Sequence, residues 1–260
     1  MNLKKVPLLL LALSGPALAN EGGAGLLHFK PDTGSEAALQ RGAAAFMGYC
    51  SGCHGLKYLR YNRIGKDLGI SEELMKANLM PAGAKMGDHV LSAMPAASAD
   101  PIKPAEPEQW FGRAPPDLSL TARSRGADWI YSYLLGFYLD GKRATGVNNL
   151  VLPNASMPHV LGDLQGYQKA EFVDEDTGTV GSDGKPVTRK KFERFEPVSK
   201  GTMTPAEYKE FVGDLTNFLV YAGEPGRNHR ISVGIGALIF LVIFGICAYL
   251  LKVEYWKDVH

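Results

Sequence analysis

Two cysteines three residues apart, with a histidine directly after the second, form the attachment signature of a c-type haem: Cys50-Ser51-Gly52-Cys53-His54. Each thiol can form a thioether with one vinyl group at the porphyrin edge. His54 then lies under the ring, where an imidazole nitrogen reaches the iron as proximal ligand. Gly52 is expected to let the backbone turn tightly beneath a flat macrocycle. Other chemistries also use a C-x-x-C pair, as a redox dithiol or as half of a zinc site. A zinc site wants four ligands, and the third cysteine, Cys247, lies deep in an apolar run. A thioredoxin-like dithiol needs a βαβ context that the flanking residues do not show.

The occupant of the sixth iron position decides the function. A methionine thioether favours the reduced iron and suits electron transfer, whereas an open position suits ligand binding or peroxide chemistry. Of eight methionines, three precede proline: Met80-Pro81, Met94-Pro95 and Met157-Pro158. A following proline stiffens an extended loop that points a side chain at iron. His89 and His159 are further candidates, and the residue pattern leaves the choice among the five open.

The elements that must position these groups are mostly helical. A helix is expected to start near Thr33, with Thr33 and Glu36 as a capping box, and to present Leu39, Ala43, Phe46, Met47 and Cys50 on one face. It delivers the chain into the haem motif. Tyr58, Arg60, Tyr61 and Arg63 read as the surface of a helix, with propionate contacts as the alternative. Ser71 caps a short helix that stops before Pro81. The stretch 95–116 is proline-rich and looped, with Trp110 and Phe111 as apolar anchors. A helix capped by Asp128 is expected to run to Leu139. Residues 171–200, rich in charge and glycine, predict an exposed β-hairpin or a loop insertion. Thr204, Pro205 and Glu207 then open a helix through Tyr208, Phe211, Val212, Leu215, Phe218 and Leu219 to Gly223.

The ends of the chain bear on location. Lys4 and Lys5, a short apolar run from Val6 to Leu13, and Ala17-Leu18-Ala19 read as a secretory signal peptide over 1–19. Ile231 to Leu251 carries no charge and matches a hydrocarbon core of about 30 Å. Arg227 and Arg230 before this run balance Lys252 and Lys257 after it. The signal peptide sets the orientation, with 20–226 exported and a short tail, 252–260, inside. Two cysteines committed to haem leave no disulfide framework. The 28 Lys and Arg residues nearly balance 27 Asp and Glu, so the charge gives no sign of the basic face that nucleic-acid binding usually needs.

Several stretches carry a family resemblance over nearly the whole chain. They are Ala114-Pro115-Pro116-Asp117-Leu118-Ser119 with Ala122-Arg123; Asp128-Trp129-Ile130-Tyr131-Ser132-Tyr133-Leu134; Gly146-Val147-Asn148-Asn149; and Glu254-Tyr255-Trp256-Lys257-Asp258-Val259-His260. With one haem motif and one C-terminal anchor, the chain resembles the cytochrome c1 family of the cytochrome bc1 complex, in its proteobacterial form. The resemblance implies a mainly α, cytochrome c-like domain with loop or hairpin insertions and one C-terminal transmembrane helix. It implies one covalent haem c, with His54 and Met157 as axial ligands and Arg123 (or Arg125) at a propionate. It implies an electron carrier, non-catalytic by itself, in the bacterial inner membrane with its haem domain in the periplasm. Its donor would be the Rieske iron–sulfur protein, its acceptor a periplasmic cytochrome c, and its anchor would pack on cytochrome b in a dimeric complex. An anchored monohaem cytochrome c serving a terminal oxidase is the alternative. Some bacterial relatives brace the methionine loop with a cysteine pair; this chain has none, so packing around Trp129 and Tyr131 is expected to hold it. Ser232 and Gly236 allow close helix approach. Glu171, Asp174, Glu175 and Asp176 are candidates for steering a basic partner.

Overall fold

The structure is a computed structural model that describes residues 25–94, 106–180 and 186–258. The expected signal peptide lies outside the described residues. Two helices far apart in sequence frame the fold, α1 (Glu36–Tyr49) and α8 (Pro205–Gly223). They cross at Gly42, where a Cβ would stand 2.1 Å from the Asp214 carbonyl oxygen and 2.7 Å from the Phe218 Cβ. Phe46 meets Phe218 at 5.8 Å between ring centroids, and Arg41 pairs with the buried Asp214 at 2.5 Å. The α8 cap is as expected: the Thr204 hydroxyl accepts from the Glu207 N–H, and the Glu207 carboxylate accepts from the Thr204 N–H. Helix α1 differs. The Asp32 carboxylate accepts from the Gly34 and Ser35 N–H groups, and the Ser35 hydroxyl caps Ala38. Ser35 therefore replaces Thr33 as the cap.

Beyond the haem motif the chain forms β1 (Leu56–Arg60), α2 (Tyr61–Asp67), α3 (Glu72–Asn78) and β2 (His89–Val90), with β1 antiparallel to β2. Tyr58 and Arg60 thus lie on a strand, not on a helix surface, and Tyr61 is buried at the start of α2. Ser71 caps α3 as expected. A short helix, α4 (Glu106–Phe111), carries Trp110 exposed at the surface rather than anchored in the core.

Next come α5 (Thr121–Arg125), α6 (Ala127–Leu135), β3 (Phe137–Leu139) and β4 (Val147–Asn149). The helix expected to reach Leu139 stops at Leu135, because Phe137–Leu139 pairs antiparallel with Val147–Asn149. Asp128 does not cap α6; its carboxylate accepts instead from the Phe29 N–H at 2.7 Å. A single turn, α7 (Gly162–Gln165), precedes the hairpin of β5 (Gln168–Val180) and β6 (Pro186–Pro197). Its acids face cations across the strands: Glu171–Arg194, Asp174–Lys190, and Glu175 with both Arg189 and Lys191.

The last helix, α9 (Arg227–Tyr255), is longer than the apolar run itself. Its length and apolarity over His229–Tyr255 fit a membrane anchor, and its apolar side chains are exposed. The short link 224–226 joins it to α8. There Glu224 pairs with Arg230 of α9 at 2.7 Å and with Arg123 of α5 at 3.5 Å.

Candidate functional site

Helix α1 ends in the motif itself. The Cys50 N–H donates to the Phe46 carbonyl, and Cys53 and His54 both donate to the Cys50 carbonyl, at 3.0 and 2.8 Å. Cys50 and Cys53 are thus carried on successive bends of one compact turn, both as free thiols. Burial, with Cys53 beside it, pushes the Cys50 thiol up to about 12. Among the described residues, no cluster of three metal-binding His, Cys, Asp or Glu side chains occurs. Gly52 has no positive φ, and a Cβ there would meet nothing. The tight glycine is Gly55, where a Cβ would crowd Asp117 Oδ2 and the Ser92 nitrogen, both at 3.1 Å.

His54 is oriented from the far side of the sequence. Its Nδ1–H donates to the Pro116 carbonyl oxygen at 2.7 Å. Nε2 has no hydrogen-bond partner among the described residues, so its lone pair is the one left for a metal. Burial holds the imidazole below its ordinary pKa, while the Pro116 contact and the nearby Asp117 oppose this. Asp117 fixes the loop that supplies the carbonyl. Its carboxylate accepts from the Lys57 N–H at 2.8 Å and from the Ser119 N–H at 3.0 Å.

Met157 is half-buried against the core. The Tyr133 hydroxyl donates to its sulfur at 3.4 Å. Burial pushes the Tyr133 phenol up, so the hydroxyl keeps its proton as a donor. Trp129 stacks on Tyr133 at 5.0 Å and 6°, and Arg125 lies over Trp129 at 5.4 Å. Trp129 thus supports the methionine loop through Tyr133, whereas Tyr131 faces away and stacks on Phe29.

The loop's main bracing is polar. Buried Asn149 donates to the Tyr133 carbonyl and accepts from the Val151 and Leu152 N–H groups. Asn148 accepts from the Asn149 and Asn154 N–H groups and donates to Asp140. Arg143 grips Asn154, whose φ of 65° an asparagine tolerates well. In the sequence Asn148 and Asn149 stand out only as part of a stretch that carries the family resemblance; this bracing and the Tyr133 contact arise from the fold.

The rival ligands have other surroundings. Met80 packs against the core, and His159 stacks flat on Phe137 at 4.9 Å and 7° with Tyr167 edge-on. Met94 lies on the segment that donates from Ala93 to the Ser51 carbonyl. Arg123 is exposed and meets Glu224, while Arg125 is spent on Trp129. A groove of about 1080 Å³ opens between the hairpin and the start of α8, and none of Cys50, Cys53, His54 or Met157 lines it.

The donors on hand are a thiol pair on one turn, an imidazole with one nitrogen tied back and, on a separate braced loop, a thioether. That combination fits a covalently held haem with two axial ligands. A family model described as the Cytochrome C1 family matches residues 31–259. The chain is 48% identical over 243 residues to the cytochrome c1 of Allochromatium vinosum, covering 94% of this chain and 93% of that one. It is 43% identical over 257 residues to a Nitrosomonas europaea protein named ammonia monooxygenase gamma subunit, covering 97% of each. It is 29% identical over 272 residues to the cytochrome c1 of Rhodospirillum rubrum, covering 96% and 94%.

Proposed function

Because the chain belongs to the cytochrome c1 family, we propose that it is the electron-carrying haem subunit of a cytochrome bc1 complex. In this reading it takes one electron at a time from a Rieske iron–sulfur protein and passes it to a periplasmic cytochrome c. One haem is attached covalently through Cys50 and Cys53. Bound there, a c-type haem supplies one-electron chemistry at its iron.

The chain's own residues do the rest. His54 presents Nε2, because Nδ1 is committed to Pro116. Met157 presents a neutral, polarisable sulfur, a ligand that favours the reduced metal. Arg123 serves a propionate; its contact with Glu224, at 3.5 Å, is a loose one that it can exchange. Residues 20–226 form the periplasmic domain, 231–251 cross the inner membrane beside cytochrome b, and 252–260 remain in the cytoplasm. The assembly is dimeric in this reading.

The observation that carries the reading is the hydrogen bond on His54, since it selects the tautomer an axial imidazole requires. Met157→Leu tests it. The midpoint potential should fall far while haem stays covalently attached, and an unchanged potential would move the ligand to another residue. Co-purification tests the assembly. Cytochrome b and the Rieske protein should accompany the chain in detergent, and a terminal oxidase or monooxygenase in their place would overturn it.

A further inference from the structure

We propose that the Tyr133 hydroxyl raises the reduction potential of the haem iron by donating a hydrogen bond to the Met157 sulfur. The proposal rests on the reading of Met157 as axial ligand.

Tyr133 is buried, and among the described residues the Met157 sulfur is the only partner of its hydroxyl. The ring cannot swing away. Trp129 covers one face at 5.0 Å, and Phe137 meets it edge-on at 5.1 Å and 71°. Trp129 and Tyr133, four apart on α6, share one face of the helix, and Phe137 meets Tyr133 from the first residue of β3. The residue's own carbonyl is tied to Asn149, which also braces the methionine loop. The donor and the sulfur are therefore held by one set of contacts.

A thioether sulfur has two lone pairs. One binds the metal, and the second accepts the phenolic hydrogen. That hydrogen bond withdraws electron density from the sulfur and makes it a weaker donor. The ferric iron, with its higher charge, loses more from this than the ferrous iron, so the reduced state is favoured. Hydrogen bonding to an axial ligand is one of the levers by which a protein sets a haem potential. Tyr133 is thus a positioning and tuning residue and transfers nothing itself.

The experiment is a redox titration of the full-length, haem-loaded protein as wild type, Tyr133→Phe and Tyr208→Phe. Tyr208 supplies the control: its hydroxyl is also buried, but it donates to the Leu134 carbonyl at 3.1 Å. Tyr133→Phe should lower the reduced-to-oxidised ratio at fixed ambient potential about threefold, a fall of about 28 mV at 59 mV per tenfold. Its ferric thioether-to-iron charge-transfer band should persist, and Tyr208→Phe should titrate as wild type. An unchanged potential in Tyr133→Phe, or equal shifts in both variants, would overturn the proposal. So would loss of the band in Tyr133→Phe, since the hydroxyl would then be holding the bond rather than tuning it. A wild-type protein without the band would instead remove Met157 as the ligand, a separate failure.

Discussion

His54 and Pro116, 62 residues apart in sequence, meet through one hydrogen bond of 2.7 Å between Nδ1 and a carbonyl oxygen. A proline carbonyl cannot be mutated away, but the loop that aims it can be loosened. Asp117→Ala removes the acceptor for the Lys57 and Ser119 N–H groups. The expected cost is about 0.5–1.5 kcal/mol of stability for each hydrogen bond lost, since water reaches the exposed Lys57 N–H. A slackened Nδ1 contact makes the imidazole a poorer donor to ferric iron, so the midpoint potential should rise. A redox titration beside a urea unfolding curve checks both, and a fall in potential would contradict the account.

Gly42 sets the distance between α1 and α8. A methyl group there would meet the Asp214 carbonyl and the Phe218 Cβ, and neither can yield without moving a helix. Gly42→Ala should destabilise the domain by about 1–3 kcal/mol, the usual range for overpacking. The urea midpoint of the purified protein is the measurement, and a wild-type midpoint would show that the helices are farther apart.

Asn149 is fully buried and serves three backbone groups. Asn149→Ala should cost about 1–3 kcal/mol for each buried group left unpaired, reduced by whatever water enters. The methionine loop then loosens, and the reduced haem should begin to bind carbon monoxide. Carbon monoxide difference spectra would reveal it, and a silent spectrum in a destabilised protein would assign the bracing elsewhere.

The acids expected to steer a basic partner are largely neutralised where they stand. Glu171, Asp174 and Glu175 each face one or two cations across the hairpin, at distances of 2.6–2.9 Å. Opposite charges this close present little net field beyond a Debye length of about 8–10 Å. Replacing Asp174 by Asn together with Lys190 by Gln should therefore leave the ionic-strength dependence of electron transfer to a soluble cytochrome c unchanged. A flatter slope in the double variant would restore the hairpin as a docking element.

What could be read from the residues alone was local. The C-x-x-C-H turn, the Thr204–Glu207 box, the hairpin and the apolar helix each announce themselves within a dozen or so neighbours. Misreadings arose where a distant group outbid a near one. Asp128 had the form of a cap, but the Phe29 N–H claimed its carboxylate. The stretch to Leu139 had helical composition, but Val147–Asn149 drew its end into a strand pair. Thr33 and Glu36 had capping-box spacing, yet Asp32 folded the preceding turn so that Ser35 reached Ala38 first. The site shows the same division. Cys50, Cys53 and His54 stand out by spacing, whereas the Pro116 and Tyr133 contacts arise only when the chain closes on itself.

The pairing of α1 with α8 also sets an order in time. A ribosome makes Glu36–Tyr49 early, but Pro205–Gly223 is the last element before the anchor. Until synthesis passes residue 223, Ala43 and Phe46 have no partner helix, and the interior around Cys50 cannot seal. Cys50 and Cys53 therefore sit on an open segment in any chain whose α8 has not yet docked on α1. Docking of α8 ends that interval, and Cys50 becomes a buried residue at the edge of the finished core.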